Sequence, residues 1–205
     1  MVTAAHVLND IGGDVATIYV RYKSTVGEFS TDQRPLSIRL NGANLYQTHP
    51  SADVAAMLFP LGVKLTTPTI PTTWLVGDDQ LQKLEIHPGD TLFSLGFPET
   101  ASSGAMFPML REGVIAPYPL LPTQKVKTWE YYMRIFHGNS GGPVYYAFQN
   151  RPYGGYFHGG ETTAGIVGLI SGRFERLSDR ESIMLAVIVP ATFIREKIDK
   201  LNTIK

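Results

Sequence analysis

The sequence predicts a mostly β fold, arranged as barrels or a sandwich and closed by a single C-terminal helix, on three observations. Glycine (20 residues) and proline (14 residues) punctuate the 205-residue chain every few positions. The pieces between them are rich in Val, Ile, Tyr, Phe and Thr, the residues that fit a pleated, half-buried surface. Only the tail after Pro190 repeats its apolar residues at helical spacing.

In chain order, strands are expected at 15–23, built on Val15, Ile18, Val20 and Tyr22, and at 36–40 around Leu36 and Ile38. They continue at 54–59, where an apolar run follows Asp53, then at 90–96, 113–118 and 131–135. The last three strands are expected at 143–148, 164–170 and 183–189, each dense in β-branched or aromatic side chains. Residues 65–73, rich in Pro and Thr, read as a connecting loop. A boundary between two β units is expected near 78–88, where Gly77-Asp78-Asp79-Gln80 and His87-Pro88-Gly89-Asp90 carry turn chemistry. The helix over 191–201 sets Phe193, Ile194, Ile198 and Leu201 on one face, with Arg195, Glu196, Lys197 and Lys200 outside it.

Composition removes several classes of function. Lys plus Arg and Asp plus Glu are both 18, so the formal charge is zero and the positive excess of a nucleic-acid binder is missing. Cysteine is absent, which excludes disulfides, thiolate metal sites and cysteine nucleophiles. The longest apolar runs, 164–171 and 183–190, fall far short of a membrane-spanning helix. The opening Met1-Val2-Thr3-Ala4-Ala5-His6 has no basic segment and no long apolar core, so it is not a signal peptide.

The sharpest local signal is His137-Gly138-Asn139-Ser140-Gly141-Gly142-Pro143, a glycine-rich turn centred on a serine. Glycines there let successive N–H groups turn toward one point beside the hydroxyl, so that a nucleophile and an anion hole coincide. A serine hydroxyl is a weak nucleophile at neutral pH; it needs an imidazole base and a carboxylate that fixes the imidazole tautomer. His6, after a stretch of small residues, and Asp53, at the entrance to an apolar strand, supply the two groups. Each alone is more often a surface or turn residue; it is their order, His, Asp, Ser, that favours catalysis.

Thr3-Ala4-Ala5-His6, Ala52-Asp53-Val54-Ala55 and Gly138-Asn139-Ser140-Gly141-Gly142-Pro143 resemble the three catalytic signatures of the chymotrypsin-like serine proteases, closest to the cysteine-free HtrA (Deg)-type bacterial trypsin-like peptidases. The resemblance covers nearly the whole chain: 89–98 is similar to the strand that opens the second barrel of those proteins, 111–116 to the strand after it, and 168–171 to the strand lining the cleft. It implies two six-stranded-type antiparallel barrels. Residues 1–82 would form the first, incomplete because the triad histidine comes at position 6, near a terminus prone to fray and apparently truncated; 83–190 would form the second, and 191–205 the C-terminal helix. It implies peptide-bond hydrolysis through an acyl-enzyme, with Ser140 as nucleophile, His6 as base, Asp53 as orienter, and Gly138 and Ser140 N–H as oxyanion hole. Ser171 would support Asp53. Asn139 stands where trypsins have an aspartate paired with a freed N-terminus, so that type of activation is not expected.

The resemblance puts substrate contacts at Arg134, Ile135, Phe136, His137, Ile170, Ser171 and Gly172. Arg134, six residues before Ser140, replaces the acidic residue of trypsins, which argues against cleavage after Lys or Arg. Ile135, Ile170 and Phe136 favour a small or medium apolar side chain, with acidic side chains at Arg134 or Arg173 as the alternative. The expected partners are protein or peptide substrates, with no cofactor, metal, nucleic acid or membrane span. Oligomeric state is open, and only the family points to export or the cell envelope. A PDZ module after the helix is not expected. His49, His87, His137 and His158 lack metal-ligand spacing and read as exposed or structural, and the aromatics Tyr145, Tyr146, Tyr153, Tyr156 and Phe157 as core and hairpin packing. The reading from a different class is a catalytically impaired protease-fold fragment or pseudoprotease acting as a binding domain.

Overall fold

In the computed structural model, which describes residues 1–23, 25–59, 69–97, 107–178 and 181–202, a short strand β1 (Val2–Thr3) leads into one turn and a half of helix α1 (Ala5–Asn9). Strands β2 (Val15–Lys23), β3 (Phe29–Ser37), β4 (Arg39–Leu40), β5 (Ala43–Asn44), β6 (Gln47–Thr48) and β7 (Ala55–Ala56) follow. A 3-10 turn (Thr72–Trp74) and helix α2 (Asp78–Lys83) come next. The rest is β8 (Thr91–Gly96), β9 (Met109–Ile115), β10 (Trp129–Tyr132), β11 (Pro143–Tyr153), β12 (Tyr156–Ser178), β13 (Glu181–Pro190) and helix α3 (Ala191–Asn202).

The last six strands close an antiparallel barrel in the order β10-β13-β12-β11-β8-β9. Closure follows from the alternation of the strands: in β8, Leu92, Ser94 and Gly96 point inward and are buried, while their neighbours are partly exposed. The interior is filled by Trp129, Tyr131, Tyr146, Leu92, Ile170 and Ile188, all at most 1% exposed. Expected strands 90–96, 143–148, 164–170 and 183–189 all fall here; β12 and β13 run on as a paired hairpin from Gly168↔Pro190 to Ser178↔Glu181. Strand β9 lies several residues earlier than expected, because its ladder with β8 begins at Gly96↔Met109.

Ahead of the barrel, the described residues form three separate small sheets: β1-β7-β6, the β2–β3 hairpin and β4–β5. No second closed barrel is present among them. The expected strand 54–59 shrinks to Ala55–Ala56, which pairs with Val2–Thr3 on one side and Gln47–Thr48 on the other. Pro35, opposite Thr17 in the hairpin, has no N–H for a further ladder.

Gly77–Gln80, expected as a turn, begins helix α2 instead: Asp78 and Asp79 lie in its first turn and Lys83 in its last, complementing the helix dipole. Leu81 and Leu84 supply its buried side. Of the expected loop 65–73, residues 65–68 lie outside the described residues and the remainder runs into the 3-10 turn. Helix α3 forms as expected with Phe193 and Ile194 buried, but Lys197 is also buried, at 5% exposed, rather than outside. Its long alkyl stem allows this; burial lowers its ammonium's affinity for the proton, and nearby Lys200 adds to the effect. Among the expected aromatic packing, Tyr146 stacks on Phe148 and Tyr145 meets Phe93 at a tilt of 32°, whereas Tyr156 and Phe157 are exposed. No described helix is long and apolar enough to cross a membrane.

One apolar cluster joins these parts. Ala4 and Val54 from the N-terminal segment meet Leu169 and Val189 of the barrel and Phe193 and Ile194 of α3. The residues before His6 and after Asp53 are thus packed on the barrel wall through a shared core.

Candidate active site

His6 opens toward solvent from the first turn of α1, directly after the fully buried Ala4 and the nearly buried Ala5. Small residues at 4 and 5 let the backbone lie flat on its neighbours, and β1 is held in place by Met1 N donating to the Met57 carbonyl at 2.8 Å. In addition, β1 pairs with β7, and Met57 N–H returns to the Met1 carbonyl at 3.0 Å.

Asp53 grips His6 at two points. Its Oδ1 accepts the His6 backbone N–H at 2.9 Å and its Oδ2 lies 2.7 Å from Nδ1 of the ring. Ser171 Oγ, arriving from β12, donates to the same Oδ2 at 2.7 Å. Desolvation alone would push the carboxyl upward, but the Ser171 hydroxyl, the His6 ring, the His6 backbone N–H and the field of the imidazole outweigh it. The net effect holds Asp53 below the ordinary carboxylate range. With Asp53 ionised, Nδ1 carries the proton and Nε2 offers its lone pair outward, the tautomer a general base needs. The His6 side chain is 40% exposed, so Nε2 is accessible to an incoming group.

The Ser140 turn sits beside this pair. Gly141 has φ +81°, and a Cβ built on it would lie 2.2 Å from Thr3 Oγ1 and 3.2 Å from the Ala4 nitrogen. Only glycine permits both the backbone shape and this approach of the serine turn to the strand that leads to His6. The turn is anchored on β12 by Gly141 N–H to the Ile170 carbonyl (2.7 Å) and Ile170 N–H to the Gly142 carbonyl (2.9 Å). Gly138 also has positive φ (+90°), and its carbonyl accepts Phe97 N–H at 3.2 Å. Among the described residues, the amide hydrogens of Gly138 and Ser140 donate to no backbone carbonyl in these turns, the state an anion hole requires. Ser140 itself is half-buried, and Ser140 Oγ and His6 Nε2 share no hydrogen bond. Such bonds are often open in unliganded sites.

The other sequence-derived substrate positions divide. Arg134, Phe136 and His137 are exposed, and Ser171 and Gly172 are half-buried next to Asp53. Ile135 and Ile170 are buried in the barrel core, at 3% and 0% exposed. Phe136 carries the Arg111 guanidinium over its ring at 4.8 Å. Arg111 is a neighbour that the sequence did not single out. Asn139, 3% exposed, is packed against Gly96, whose Cβ would fall 2.2 Å from its Oδ1; neither polar atom of its amide has a partner. No group of three or more His, Cys, Asp or Glu side chains among the described residues is placed to hold a metal.

No known family model matches the chain, and no curated protein sequence matches it.

Proposed function

We propose that this chain is a serine endopeptidase of chymotrypsin-like type, hydrolysing peptide bonds through an acyl-enzyme. The observation that carries the reading is Asp53 bound at once to the ring and backbone of His6 and to Ser171, with the Ser140 turn packed against the strand leading to His6. A carboxylate that fixes one imidazole tautomer beside a glycine-flanked serine is what activation of a serine hydroxyl requires.

In this reading Ser140 Oγ attacks the scissile carbonyl carbon while His6 Nε2 takes the hydroxyl proton, and Asp53 balances the imidazolium through Nδ1–H. The new oxyanion lies against the N–H groups of Gly138 and Ser140. Collapse of the tetrahedral species breaks the C–N bond, and His6 returns the proton to the leaving amine. Water then repeats the sequence on the Ser140 ester and releases the acid. Residues 1–82 act as a reduced first barrel and 83–190 as the second, with the cleft between them. Ile135 and Ile170, expected to line the primary pocket, are instead enclosed in the barrel core, which leaves exposed Phe136 as the apolar surface for the side chain next to the cleaved bond.

The absence of a hydrogen bond between Ser140 Oγ and His6 Nε2 favours a second reading, a protease-fold binding domain without turnover. Reaction of the purified chain with a fluorophosphonate probe, read by intact mass, separates the two. A single adduct that vanishes in Ser140→Ala and His6→Ala, with both variants still folded, is the outcome expected of the protease. No adduct on the native chain, or equal labelling of His6→Ala, refutes it.

A further inference from the structure

We propose that His49 is a positioning residue that fixes the Asp53-bearing turn to helix α3, so that the C-terminal helix sets how the carboxylate meets His6. The inference rests on the reading of His6 and Asp53 as base and orienter. It starts from a histidine whose side chain is only 5% exposed and both of whose ring nitrogens are engaged.

Ser51 N–H donates to His49 Nδ1 at 3.2 Å, so Nδ1 holds the lone pair and the ring proton is on Nε2. That proton is directed at Glu196 Oε2 on α3, at 2.9 Å. The second carboxylate oxygen, Oε1, accepts from Gln124 Nε2 at 2.5 Å, which fixes Glu196 from the far side. Edge-on contact with Phe193, centroids 5.1 Å apart, holds the ring plane. His49 N–H donates to the Val54 carbonyl at 2.8 Å and closes the turn in which Asp53 sits. One ring nitrogen therefore shapes the turn and the other bolts it to α3. Because Phe193 and Ile194 share a core with Ala4 and Val54, α3 also backs the segments next to His6 and Asp53. A buried imidazole whose two nitrogens join two elements has no slack, since losing either partner strands a polar group.

The test uses the full chain with ¹⁵N-labelled histidine, following solvent exchange of the His6 Nδ1 proton by NMR together with the rate of Ser140 labelling by fluorophosphonate. Glu196→Ala is expected to speed that exchange and slow labelling by about 10-fold each, the size of effect that follows from misplacing a catalytic group by a fraction of an ångström. Glu196→Gln, which keeps an oxygen for Nε2–H, is expected to stay near the native values. Arg195→Ala removes a bond from the same helix to the Leu75 carbonyl and serves as the control for general loosening of α3; it is expected to lower thermal stability without moving either readout. Gln124→Ala, which frees Glu196 Oε1, is the gentler variant and is expected to shift both readouts in the same direction as Glu196→Ala. Unchanged exchange in Glu196→Ala and Gln124→Ala, or equal changes in Arg195→Ala, would overturn the proposal. Failure of the protease reading is distinct: the native chain would then show no adduct, while the His6 proton still reports on Asp53.

Discussion

Gly141→Ala probes the contact that holds the serine turn against the strand leading to His6. Gly141 has φ +81°, so a side chain there costs about 1–2 kcal/mol in backbone strain. The added Cβ would also meet Thr3 Oγ1 at 2.2 Å, Thr3 Cβ at 3.1 Å and the Ala4 nitrogen at 3.2 Å. Rotation of the threonine removes the first clash but not the other two, which require the strand or the turn to retreat. Overpacking of this kind adds about 1–3 kcal/mol, so the total expected loss is about 2–5 kcal/mol. Gly42→Ala isolates the backbone part, because Gly42 has nearly the same φ (+79°) and nothing within 4 Å of its Cβ position. The difference between the two variants, measured by guanidinium unfolding, is the steric cost of the contact. Fluorophosphonate labelling of Ser140 in folded Gly141→Ala is expected to fall by about 10-fold, the cost of misplacing the serine by a few tenths of an ångström, and to be unaffected in Gly42→Ala. Equal destabilisation of the two variants with native labelling in both would refute the close approach on which the site depends.

Three further outcomes follow from the same geometry. Ser171→Ala removes a hydrogen bond to a charged acceptor, so labelling is expected to drop by roughly 10-fold and stability at neutral pH by about 1.5 kcal/mol. Because the fold lowers the Asp53 pKa, the carboxylate contributes stability above its unfolded value and loses it as pH falls through the folded one. Unfolding midpoints of native and Ser171→Ala protein should therefore converge toward acid pH, and a constant gap down to pH ~2 argues against the bond. Gly96→Ala places a Cβ 2.2 Å from Asn139 Oδ1 and 3.1 Å from Asn139 Cα; it is expected to cost about 1–3 kcal/mol and to depress labelling, because Asn139 directly precedes Ser140. Burial raises the Tyr131 pKa strongly, so in an alkaline absorbance titration Tyr131 is expected to ionise only as the barrel unfolds, and its ionisation at pH values where the fold is intact would refute that burial.

The barrel was legible in the sequence because its strands are long and their inward side chains large: Leu92, Tyr146, Ile170 and Ile188 each fall where a β-rich run places them. Helix α1 was not, since Ala5–Asn9 is too short to show a periodic face. Helix α2 is hidden because Gly77-Asp78-Asp79 suits a helix start as well as a loop, and only Leu81 and Leu84, three apart, separate the two. The small N-terminal sheets were invisible in part because pairs of two residues carry almost no alternation. At the site, His6, Asp53, Ser140 and Ser171 were named from motifs, and the structure joins His6, Asp53 and Ser171 by hydrogen bonds. For His49 the sequence supports only an exposed or structural reading: its partner Glu196 is 147 positions away, and no local pattern encodes a contact made only when α3 folds back on the Asp53 turn.

That distance bears on how so slight an N-terminal part holds a histidine within 2.7 Å of its carboxylate. The strands around His6 and Asp53 are two residues each, and a few ladder bonds cannot by themselves define side-chain geometry to a fraction of an ångström. The definition comes from the other end of the chain. Ser171 on β12 fixes Asp53 Oδ2, Ile170 fixes Gly141 and Gly142, and α3 fixes the turn that carries Asp53. Each of these elements belongs to the barrel or is packed on it, so the rigidity of a closed sheet passes to groups that lie outside it. In the proposed protease, the site depends less on closing a barrel from the N-terminal residues than on a few direct contacts to the closed C-terminal barrel. Loss of activity from substitutions such as Gly141→Ala or Glu196→Ala should then precede loss of the barrel.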